Sequence, residues 1–83
     1  MIVYNLENLV RLAMVEAEKR VREAEEKLKE QPDNQFWKEI KHFDLKNLEK
    51  LQRIHTNFLQ KKMTDEDRND WHKLQKIYLK KLF

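Results

Sequence analysis

The sequence predicts an all-helical domain: a long antiparallel helical hairpin, coiled-coil-like in its two-helix packing, with a shorter third helix packed on one end to make a three-helix bundle. Three observations carry that prediction. The 83 residues contain no glycine, the residue that bulges and tight turns most often use where φ must be positive. The single proline, Pro32, separates two long segments. On either side of it, apolar residues recur at helical spacing and in the same sequence of steps. A single domain, residues 1–83, follows from length, because a chain this short buries only about 60% of the surface that its unfolded form exposes. A deep ligand cavity is not expected.

The first helix is predicted over about residues 5–30. The Asn5 side chain can cap free backbone amides, and Tyr4 before it fits a hydrophobic staple with Leu9. Further along, Glu16 with Arg20, Glu18 with Arg22, Glu23 with Lys27 and Glu25 with Lys29 stand in the favourable acid-first order, each worth about 0.2–0.5 kcal/mol. Gln31, Pro32, Asp33 and Asn34 then break the pattern. Proline disfavours helical geometry in the residue before it, and Asp33 or Asn34 can cap the next helix.

The second helix should run over about 34–62. Its end lacks a true breaker, yet Thr64 followed by Asp65, Glu66 and Asp67 reads as a cap with an acidic first turn. The third helix, about 65–82, closes with Lys76, Lys80 and Lys81, cations that suit a helix C-terminus.

Two stripes define how the hairpin should fold. In the first helix the stripe is Leu6, Val10, Ala13, Ala17, Val21, Ala24 and Leu28; in the second it is Phe36, Ile40, Phe43, Asn47, Leu51, Ile54 and Phe58. Folded back at Pro32, they pair so that the two residue numbers always add to 64. Alanines then face bulkier residues, which lets the axes approach without voids. The mean step is about 3.67 residues per turn, so the hairpin should be nearly straight or slightly right-handed.

The third helix is placed by a second asymmetry. Leu9, Leu12, Met14 and Val15 make the start of the first helix apolar nearly all round, whereas its second half is charged off the stripe. Only the first half can accept two neighbours. The third helix should cover it through Trp71, Leu74, Ile77, Tyr78 and Leu82, leaving the distal half around Leu28, Pro32, Phe36 and Trp37 as a projecting tip.

Composition narrows the function classes. Without cysteine, disulfides and thiolate chemistry are excluded, which suits a reducing compartment. No apolar run approaches the roughly 18 residues of a membrane span, and no secretory signal opens the chain, so a cytoplasmic protein without membrane contact is expected. The net charge is +3 from 18 basic and 15 acidic residues, too small an excess to imply nucleic acid by itself.

Chemistry is sparse. Glu39 and His42 form Glu-x-x-His, but helical metal sites of that kind need a second such motif and further inward carboxylates. There is no serine, Thr56 and Thr64 are the only aliphatic hydroxyls, and the histidines lie on different turns. No enzyme activity, metal, cofactor or small-molecule substrate is expected.

What remains is binding to another protein. Leu12 and Val15 exceed what the third helix can cover, the ends (Met1, Ile2, Val3, Leu79, Phe83) carry further large apolar side chains, and exposed clusters of that kind mark interfaces. The tip is the other candidate, where Phe36 and Trp37 stand beside Lys38 and Lys41, an aromatic and cationic combination enriched in interfaces. The expected function is therefore a small interaction module, an adaptor, regulator or inhibitor of a larger protein, with a homodimer among its forms. Short, cysteine-free charged helical chains are common among bacterial and phage-encoded regulators, inhibitors of host defence included. The alternative is a basic nucleic-acid-associated protein using Lys38, Lys41, His42, Lys46, Lys50 and Arg53 on the outer face of the second helix. Asn47, inside the stripe opposite Ala17, is expected either to fix register or pairing state, as a buried asparagine does in coiled coils, or to reach water between the helices.

Overall fold

A computed structural model describes residues 5–80, which form three helices: α1 (Leu6–Glu30), α2 (Gln35–Leu59) and α3 (Asp65–Tyr78). Tyr4, the apolar ends Met1, Ile2, Val3 and Phe83, and the Lys81 and Leu82 assigned to the third helix lie outside the described residues. Each helix starts on a side-chain cap. Asn5 Oδ1 accepts from the Asn8 amide at 2.9 Å and Asn34 Oδ1 from the Trp37 amide at 3.2 Å. At Thr64 the cap is reciprocal: the Asp67 amide donates to Thr64 Oγ1 and the Thr64 amide to Asp67 Oδ2, both at 3.1 Å. A capping box of this form satisfies two amides that a helix start would otherwise leave free.

The helix ends have equally local causes. The Gln31 amide still donates to the Lys27 carbonyl, and Pro32 then prevents another turn. Helix α2 ends three residues before the predicted Lys62. The Lys62 amide reaches back to the Asn57 carbonyl and the Lys61 amide to the Phe58 carbonyl, with Lys61 at φ 57°. That is a Schellman termination, with lysine in the left-handed position that glycine usually takes.

The largest buried cluster lies at one end of the hairpin, and Val21 and Ala24 are buried further along α1. Val10, Ala13 and Ala17 of α1, Leu51 and Ile54 of α2, and Trp71, Leu74, Tyr78 and Leu79 from α3 and its end form one buried cluster. Leu6, Leu9, Met14, Leu48 and Met63 pack around it. Helix α3 runs antiparallel to α2, since Asp67 is bonded to Asn57 while Tyr78, eleven residues on, is bonded to Asn47 and Asp44. It covers only the proximal half of the hairpin. Ile77, expected in that contact, is instead partly exposed.

The predicted alignment of α1 with α2 is matched by one polar contact: Arg20 Nε lies 3.3 Å from Asp44 Oδ2, and their numbers also add to 64. The stripe of α2 needs a correction at its distal end. Phe36 and Phe43 were expected in the seam, yet they are 60% and 46% exposed. Asp44 is completely buried in their place. Asp44 lies about 100° round the helix from Phe43, toward Arg20 and Tyr78. Arg20 also leaves its predicted partner for Asp44, and Glu16 meets Lys19 at 3.7 Å instead.

Candidate functional site

Two polar clusters fasten α3 to the hairpin and thereby decide which surfaces stay open. At the start of α3, Arg53 Nε donates to Asp67 Oδ1 at 2.8 Å and Arg53 Nη2 to Asp70 Oδ2, while Asn57 Nδ2 donates to Asp67 Oδ2 at 2.8 Å. Burial alone would push the Asp67 carboxyl up, but donation from Asn57, the Thr64 amide and Arg53 outweighs it and brings the pKa down to about 2. The bonds to Asp70 and Asp67 in turn raise Arg53.

The second cluster sits at the end of α3. The Tyr78 hydroxyl donates to Asp44 Oδ1 at 2.6 Å and accepts from Asn47 Nδ2 at 3.1 Å. The Arg20 guanidinium lies 5.7 Å from the centre of the Tyr78 ring, within cation–π range. Burial first, and then the bond to Asp44, push the Tyr78 hydroxyl well above the ordinary phenol range. Asp44 is fully buried and Tyr78 nearly so, so neither oxygen is open to a substrate. The cluster holds elements together.

Asn47 thus has a third role beyond the two expected of it: its amide is bonded across to α3. Asp44 and the Tyr78 link were missed from sequence, because an aspartate one position off an apolar stripe looks like a solvated residue. Arg20, its cationic neighbour, stands in the charged second half of the first helix, which the third helix was not expected to reach.

Among the expected partner-binding residues, Leu12 and Val15 are 40% and 47% exposed on the outer side of α1, three residues apart and so adjacent on the helix surface. At the tip, Phe36 meets Trp37 edge to face, with ring centres 5.2 Å apart. Trp37 is half-buried, Lys38 exposed and Lys41 half-buried. The structure adds Phe43 to this set. Positions 36, 43, 47 and 54 fall on one side of α2. Asn47 and Ile54 are covered by α3, whereas Phe36 and Phe43 lie past its end.

The basic face of α2 changes in one member. Lys38, His42, Lys46 and Lys50 are exposed, but Arg53, expected on the open outer face, is committed to Asp67 and Asp70. Its guanidinium turns to α3 because the acidic first turn of that helix lies within reach. A shallow depression lined by Lys46, Glu49, Lys50 and Arg53 runs along this edge.

Elsewhere, His55 is half-buried, with Nε2 3.8 Å from Glu7 Oε1. Among the described residues no group of three His, Asp or Glu side chains is arranged to hold a metal ion, and no helix is long and apolar enough to cross a membrane. Comparison with protein-family models, curated proteins and solved structures gives no match. The functional argument rests on the surfaces themselves.

Proposed function

We propose that the chain is a helical protein-interaction module, an adaptor, regulator or inhibitor that occupies a surface of a larger protein with the distal half of its hairpin. One observation supports this most: Phe36 and Phe43 stand two turns apart on one side of α2, 60% and 46% exposed, with Trp37 packed against the first. Aromatic side chains are enriched in binding hot spots, and clustered exposed apolar side chains mark interaction sites. Leu12 and Val15 supply a second, smaller apolar contact on the outer side of α1.

The test is affinity capture from the source organism with the intact chain and with a Phe36→Ala/Phe43→Ala variant of equal thermal stability. Partners retained by the first should be lost by the second, since hot-spot truncations cost about 2 kcal/mol or more. Recovery of the same partners at the same level by both chains would contradict the reading.

A nucleic-acid reading keeps one supporting observation, the exposed Lys38, His42, Lys46 and Lys50. With Arg53 already neutralised by two carboxylates, that row is shorter than the sequence offered. Binding of that kind would weaken steeply as salt is raised.

A further inference from the structure

The contact between Arg53 and Asp70 is where two cationic rows begin. On α2, Lys50 stands three residues before Arg53 and Lys46 four before that; on α3, Lys73 stands three residues after Asp70 and Lys76 three further on. Steps of three or four residues keep to one side of a helix. Because α2 and α3 are antiparallel, both rows leave the contact in the same direction, toward the level where Tyr78 meets Asn47. All four lysines are exposed. The acids of α3, by contrast, stand at its start, and Asp67 and Asp70 among them are bonded to Arg53. Past that contact the exposed carboxylate along the two rows is Glu49.

The surroundings of these lysines narrow the partner. An acidic peptide helix or a membrane surface would need an apolar face between the charges, and the apolar side chain between the rows is Ile77, 38% exposed. Trp71 and Tyr78, the aromatic rings of α3, are buried, so the rows enclose no platform on which the bases of a single strand could stack. Two rows on helices whose axes lie about 8–10 Å apart suit the phosphates on either side of a B-form minor groove, about 6 Å wide, rather than the wide minor groove of an RNA duplex. We infer that the seam between α2 and α3 binds the backbone of duplex DNA, with Lys46 and Lys50 on one strand and Lys73 and Lys76 on the other. Charge complementarity selects this partner, and contacts to phosphate alone carry affinity without sequence preference. The inference goes beyond the interaction-module reading and does not depend on it.

The test is fluorescence anisotropy of a dye-labelled DNA duplex of about 20 base pairs, titrated with the full chain from about 50 mM salt upward. The expected result is saturable binding, with log Kd rising against log salt at a slope of about 3–4, as four neutralised phosphates require. Lys46→Gln/Lys50→Gln and Lys73→Gln/Lys76→Gln should each weaken binding about tenfold or more and lower the slope by about two. Lys27→Gln/Lys29→Gln, exposed on α1, removes the same charge at a distance and should weaken binding less than about threefold. Far-UV spectra and thermal midpoints confirm that each variant is folded.

An absence of binding at the lowest salt would overturn the proposal. Equal weakening by the α1 and α3 pairs would reduce the effect to net charge, and loss with the α2 pair alone would confine it to one helix; either result overturns the two-row site. Tighter binding of single-stranded DNA, of an RNA duplex, of polyglutamate or of phosphatidylserine vesicles, with the same dependence on the four lysines, would identify another partner and overturn it as well.

Discussion

At the scale of single residues, the energetics concentrate at a few positions where backbone or charge is constrained. Lys61 holds φ 57°, a conformation that costs an L-residue roughly 1–2 kcal/mol and glycine almost nothing. Lys61→Gly should therefore raise unfolding free energy by about 0.5–1 kcal/mol in urea titration, although glycine also gains unfolded-state entropy. Asp67 is the clearest titrating group. Its pKa is lowered from 3.8 to about 2 in the folded chain, so its contribution is fully present above pH 4 and is lost as pH falls through about 2. Thermal stability should drop across that window. In Asp67→Asn the drop should be smaller and stability at pH 7 lower by about 1–3 kcal/mol, as expected when a buried charge-assisted network is broken.

At the scale of elements, the burial of the distal end of α2 is the main feature that the sequence misplaced. The helix starts were legible because caps are local: Asn5, Asn34 and Thr64 act through amides three residues away. The proximal stripe was legible because Leu51 and Ile54 have apolar neighbours on every side. The distal stripe was not, since Phe43 and Asp44 compete for one inward position and hydrophobicity alone favours the phenylalanine. Asp44 prevails because Tyr78 from α3 and Arg20 from α1 both converge on it, a three-element coincidence that no single helix encodes. The candidate surface inherits the same error, so Phe43 was counted as core when it belongs to the exposed set. Alanine at Phe36 and Phe43 should accordingly change stability by no more than about 0.5 kcal/mol each, whereas Leu51→Ala or Ile54→Ala should cost about 2–5 kcal/mol. Removal of the hydroxyl in Tyr78→Phe strips the buried Asp44 of its donor and should cost about 1–3 kcal/mol. Chemical denaturation of the variants checks both statements.

At the scale of the whole molecule, the hairpin extends beyond its largest buried cluster, and α3 ends at the level of Asp44 and Asn47. Described residues span about 42 Å in their longest dimension, and all nine members of the buried cluster fall at or proximal to the level where Tyr78 meets Asn47. The polar links at the two ends of α3 fix where that helix starts and stops along the hairpin. A nitroxide attached at Asn69→Cys, an exposed position on α3 in a chain with no other cysteine, measures this placement directly. Paramagnetic broadening should be strong at the amides of residues 9–13 and 53–57 and absent from residues 28–37; strong broadening at 28–37 would mean that α3 lies over the tip, and the open aromatic face would not exist.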